Sequence, residues 1–133
     1  MGGKKKVVHI IGNCGSSGDC PCVVNVREDS TDYLDFQLFS KSVALNVAGV
    51  LRIELVLRNK DNEIATYSTA GASPQIYITD AANGEVQFRP KVGNLVNWKS
   101  PYRGYFWVYS TETVKSAIPE NEELLIKVRE KFA

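Results

Sequence analysis

From Val23 onward, apolar and polar residues take turns along the chain, the period-two pattern of strands that bury one face. Leu34, Phe36 and Leu38 alternate with Asp35 and Gln37, and Leu51, Ile53, Leu55 and Leu57 alternate with Arg52, Glu54, Val56 and Arg58. Asn59-Lys60-Asp61-Asn62 then reads as a turn into a strand over residues 63–68. Ile76 and Ile78 form a short strand closed by Asp80-Ala81-Ala82-Asn83-Gly84, where Gly84 supplies the positive φ that such a hairpin loop needs. Val86 and Phe88 carry the return strand, which Pro90 ends or marks as an edge. Tyr105, Trp107 and Tyr109 alternate with Phe106 and Val108, and Leu124, Ile126 and Val128 alternate with Leu125, Lys127 and Arg129.

This spacing predicts about seven strands and an all-β, immunoglobulin-like antiparallel sandwich. Residues 120–132 could be drawn as a helix, because Glu, Leu and Lys favour one and Pro119 could start it. The clean alternation over residues 124–129 selects a strand instead. Residues 40–50 show no clear period, and a crossing loop and a half turn of helix fit them equally well.

The first 22 residues differ from the rest. Lys4, Lys5 and Lys6 precede the apolar strand candidate Val7, Val8, His9, Ile10 and Ile11, and a run with Gly12, Gly15 and Gly18 among Ser, Asn and Asp follows, a composition of turns. We read residues 1–22 as an N-terminal arm and residues 23–133 as the sandwich domain. The apolar run is too short for a secretory core, which takes about 7–15 residues. No stretch approaches the roughly 20 apolar residues of a membrane span, so no membrane partner is expected and the protein reads as soluble and made in a cytoplasm.

Charge removes one further class. Lys plus Arg number 16 and Asp plus Glu 15, so no overall field draws the chain to nucleic acid. Cys14, Cys20 and Cys22 all lie in the arm, an odd and clustered set unlike a secreted disulfide framework, and the body must rest on apolar packing.

Candidate chemistry is sparse. With His9 as the sole histidine, no Ser-His-Asp set can be assembled with further support, and His9 reads as structural. His9, Cys14, Cys20 and Cys22 together offer a nitrogen and sulfurs that zinc accepts. Cys20-Pro21-Cys22 is nevertheless CxC rather than CxxC, and Cys14 stands apart, so the reading is free thiols or a local disulfide without metal. The glycines of the arm lack the Lys and Ser/Thr of a phosphate-cradling loop. Glu28, Asp29, Asp32 and Asp35 are read as solvated turn residues. No cofactor is expected.

The richest patch is aromatic: Trp98, Tyr102, Tyr105, Phe106, Trp107 and Tyr109, with Lys99 and Arg103 between them. Alternate members of the 105–109 strand must face the core, which leaves Trp98, Tyr102, Arg103, Tyr105 and Trp107 as a candidate contact surface.

With these segments laid out, residues 24–132 resemble a phage virion module, the immunoglobulin-like sandwich at the N-terminus of baseplate upper proteins and related head or tail attachment proteins. Tyr33-Leu34-Asp35-Phe36-Gln37-Leu38 is similar to its first strand, and residues 51–58 to its long alternating strand. Residues 76–86 resemble its hairpin of strand, Asp, small residues, Gly and strand, and Gly104-Tyr105-Phe106-Trp107-Val108-Tyr109 its aromatic strand. The resemblance implies a non-enzymatic structural protein of a phage particle: a capsid decoration, a head-fibre or connector protein, or a tail or baseplate component. It implies synthesis in the host cytoplasm, residence in the virion, and as partners capsid, connector or tail subunits and further copies of the chain in a homo-oligomer. The arm, through Lys4, Lys5, Lys6, Val7, Val8, Ile10 and Ile11, is expected to pin that assembly. The alternative is a carbohydrate-binding or adhesion module that stacks sugars on Trp98, Tyr102 and Trp107.

Overall fold

The computed structural model describes residues 5–11 through their main chain, and residues 23–29, 31, 33–40, 43–118 and 123–130 in full. Strands β1 (Lys5–Ile11), β3 (Tyr33–Ser40), β7 (Ile76–Asp80) and β8 (Glu85–Phe88) form one sheet in the order β1-β3-β8-β7, and the short β4 (Val43–Ala44) also pairs with β3. Strands β2 (Val23–Arg27), β11 (Leu124–Arg129), β9 (Tyr102–Tyr109), β5 (Arg52–Arg58) and β6 (Ile64–Ser68) form the second in that order. In this sheet β10 (Lys115–Ile118) pairs with β9 beside the stretch that β11 occupies.

The alternation sets which faces meet. In β5 Ile53, Leu55 and Leu57 are buried while Arg52, Glu54 and Val56 are only partly covered, and β11 buries Leu124, Ile126 and Val128 in the same way. Leu34, Phe36 and Leu38 of β3 oppose them from the other sheet. Each such side chain contributes roughly 1.5–3 kcal/mol when fully removed from water. Aromatic rings span the two layers: Phe36 of β3 meets Phe106 of β9 edge-on with ring centres 5.4 Å apart, and Tyr67 of β6 meets Phe88 of β8 at 4.8 Å.

The sandwich and every strand expected in the body are present, the last segment as a strand. Ser40 ends β3, and residues 43–50 form β4 and a loop leading to β5. Two features were not legible in the sequence. The expected wholly antiparallel pattern is broken at the sheet edges, where β2 runs parallel to β11 and β1 parallel to β3. Both are pairings between segments far apart in sequence, which no local turn signal reports. In addition, Leu51 falls outside β5 and is half exposed, and Ile78 is partly exposed at an irregularity in the β7–β8 register.

Asp35 departs from its reading as a solvated turn residue. It lies within β3, is buried, and its Oδ1 accepts a hydrogen bond of 2.9 Å from Gln87 Nε2. Gln87 Oε1 in turn accepts from Arg89 Nε at 2.7 Å, and the Arg89 guanidinium lies over Tyr77 at 3.7 Å and Tyr33 at 4.5 Å. A buried carboxylate is tolerated when hydrogen-bonded in this way. Cys14, Cys20, Cys22, Lys4 and Asp32 lie outside the described residues, as does the side chain of His9.

Candidate functional site

Trp98 is displayed at one end of the sandwich. It sits in the 3₁₀ turn Asn97–Lys99, and this turn is tied down on both sides of the indole. Asn97 donates its main-chain N–H to Glu28 Oε2 at 3.1 Å and its side-chain amide to Val128 O at 2.9 Å. Lys99 Nζ pairs with Glu63 and, at 3.3 Å, with Asp61, while Lys99 O accepts from the Lys60 N–H. Trp98 remains 62% exposed on this fixed mount, a large apolar surface left in water at no gain to folding.

Beneath it lies a cleft of about 490 Å³ with Leu57, Ile64, Tyr67, Val96 and Tyr102 among its apolar and aromatic lining. Asn59, Glu63, Asn94 and Lys99 line the same cleft. Hydrogen bonds from Lys99 and then Asn59 hold the Glu63 carboxyl below its ordinary range, and the same contact with Glu63, followed by Asp61, raises Lys99. Burial pushes the Tyr67 and Tyr102 phenols up, so both stay protonated hydroxyls at neutral pH.

The structure separates the expected contact residues. Tyr102 is in the core: β9 begins at this residue, so Tyr102 shares the inward face with Phe106 and Val108, and its hydroxyl accepts from the Val96 N–H at 3.1 Å. Arg103, Tyr105 and Trp107 occupy the outward face, away from the cleft lining. There Tyr105 and Trp107 meet edge-on at 5.1 Å, and Lys115 Nζ sits 4.2 Å above the indole ring. Tyr109 continues that face but is nearly covered, with Arg52 stacked on its ring at 3.9 Å. Trp98 and Trp107 thus serve two surfaces, and the cleft recruits Tyr67, Leu57 and the Asn59 turn, which sequence reasoning missed because they arrive from β5 and β6.

Of the arm residues, Lys5, Lys6, Val7, Val8, Ile10 and Ile11 fall in β1, whose main chain pairs with β3 from Tyr33 to Leu38. Among the described residues no His, Cys, Asp and Glu side chains gather as a metal site.

Two antiparallel-centred sheets packed face to face define an immunoglobulin-like β-sandwich. Its fold is similar to that of the N-terminal domain of phage TP901-1 ORF48, with a TM-score of 0.62 and 14% identity, over 96% of this chain and 99% of that one. The alignment therefore reaches into the first 22 residues, beyond the stretch where the sequence resemblance begins. No protein-family model and no curated protein matches the chain by sequence.

Proposed function

We propose that the chain is a non-enzymatic structural component of a phage particle, in which residues 23–133 pack against capsid, connector or tail subunits or against further copies and residues 1–22 act as an arm. The observation that carries this reading is β1. It is the outermost strand of its sheet and is joined to β3 by main-chain pairing. A strand attached in this manner can pair with the same edge of a neighbouring copy, an exchange that adds interface without enlarging the domain. The likeness to the N-terminal domain of a phage protein supports the setting.

Removing residues 1–22 tests it. The truncated chain is expected to keep a cooperative melt and a β-rich circular dichroism spectrum, but to lose self-association in sedimentation velocity and incorporation into particles. Should truncation disturb folding, paired proline substitutions Val8→Pro and His9→Pro in the full chain take two main-chain donors out of the middle of the strand and break its ladder while leaving the chain intact. Unchanged assembly in either variant refutes the arm.

A second reading, a saccharide-binding module, is favoured by the fixed and exposed Trp98 above a cleft that mixes aromatic walls with amide and carboxylate groups.

A further inference from the structure

Beside the Trp98 cleft, across the Asn59–Asn62 turn, β5 and β9 bring Arg58 and Arg103 into direct register. Both point away from the core, since their neighbours Leu57 and Gly104 are buried. Like charges facing each other across a strand pair repel, so this arrangement costs stability unless an anion answers it. Lys60 adds a third cation: Arg58, Asn59, Lys60, Asn62, Pro101 and Arg103 line one hollow of about 260 Å³.

Among the described residues, the protein's own anions answer this charge only in part. Glu123 Oε2 lies 3.5 Å from Arg58 Nη2, with both side chains about half exposed. Asp61 and Glu63, the carboxylates nearest in sequence, are both committed to Lys99. Among the described residues, Arg58, Lys60 and Arg103 set against Glu123 leave a charge of +2 at the hollow. The main chain of Lys60 is tied to Lys99 O by its N–H at 3.0 Å, which keeps this residue at the rim of the hollow. Two guanidinium groups from adjacent strands and an ammonium line the same hollow, a donor set that suits a doubly charged tetrahedral oxyanion.

We infer that the hollow between Arg58, Lys60 and Arg103 binds a phosphate or sulfate group. This inference does not rest on the assembly role, and the hollow shares Asn59 with the lining of the Trp98 cleft.

The test uses the full chain, calorimetric titration and thermal melts at constant ionic strength, made up with chloride. Inorganic phosphate and sulfate should bind with one-to-one stoichiometry and raise the melting midpoint, whereas chloride and glutamate should not. Arg103→Gln should weaken phosphate binding at least ten-fold and abolish the shift, yet melt at or above the wild-type midpoint in phosphate-free buffer, because it relieves the facing charges. Lys60→Gln, in an exposed turn, provides the same loss if Arg103→Gln folds poorly. Glycerol 3-phosphate distinguishes the source: equal binding points to a phosphate carried on a larger molecule, and weaker binding to the free ion. Equal shifts from all anions at matched ionic strength, or phosphate binding unaltered in both variants, overturn the site.

Discussion

Replacing Gly84 by alanine puts the hairpin between β7 and β8 to a quantitative test. Gly84 has φ of +68° and closes the 3₁₀ turn Ala81–Asn83, and its carbonyl accepts the Leu38 N–H at 2.8 Å. A side chain there meets two penalties. The left-handed backbone costs an L-residue about 1–2 kcal/mol. A Cβ would also press on Leu45 O and stand 2.8 Å from Leu38 O, main-chain atoms just after β4 and within β3 that can yield only by moving the backbone. Overpacking of this kind costs about 1–3 kcal/mol. The sum, about 2–5 kcal/mol, lowers the melting midpoint by roughly 6–20 °C for a domain of this size. Gly49 provides the internal control, because it has φ of +78° but no atom within 4 Å of the added carbon. Gly49→Ala should therefore lose only the backbone share, about 1–2 kcal/mol. Urea unfolding of the three proteins separates the contributions. If Gly84→Ala loses no more stability than Gly49→Ala, the close approach of the hairpin to the Leu38 and Leu45 carbonyls is wrong.

Two further outcomes follow from the Trp98 end of the molecule. Glu63 is held ionised by Lys99 and Asn59, and a carboxyl whose folded value is depressed stabilises the fold above its unfolded value and loses that contribution as pH falls through the folded one. The melting difference between wild type and Glu63→Gln should thus be full at neutral pH, shrink only below the ordinary carboxylate range, and fall with added salt. A difference that is flat from neutral to strongly acidic pH refutes the pairing. Trp98→Ala should leave the midpoint within about 2 °C of wild type, since an exposed side chain makes a small contribution. If the saccharide reading is correct, the same variant loses glycan binding in titration, and silence of the wild-type protein across a glycan array rejects that reading.

The alternation of side chains by itself determined the long strands of the body and most of the apolar residues they bury, Leu51 and Ile78 apart. Leu34, Phe36 and Leu38, the 53–57 series and the 124–128 series all face inward, because a pleated strand places successive side chains on opposite sides whatever its partner is. Gly84 was legible for the same local reason: its turn demands a backbone that only glycine adopts without strain. Tertiary structure alone decided what pairs with what. The parallel joins of β1 with β3 and β2 with β11 link distant segments, and so do the burial of Asp35 against Gln87 and the facing of Arg58 with Arg103. The candidate site shows the same division. Trp98 stood out in the sequence, but the strand phase that sends Tyr102 into the core, and the arrival of Tyr67 and Asn59 beneath the indole, depend on sheet register. Register is fixed by the whole packed core and by no short stretch of chain.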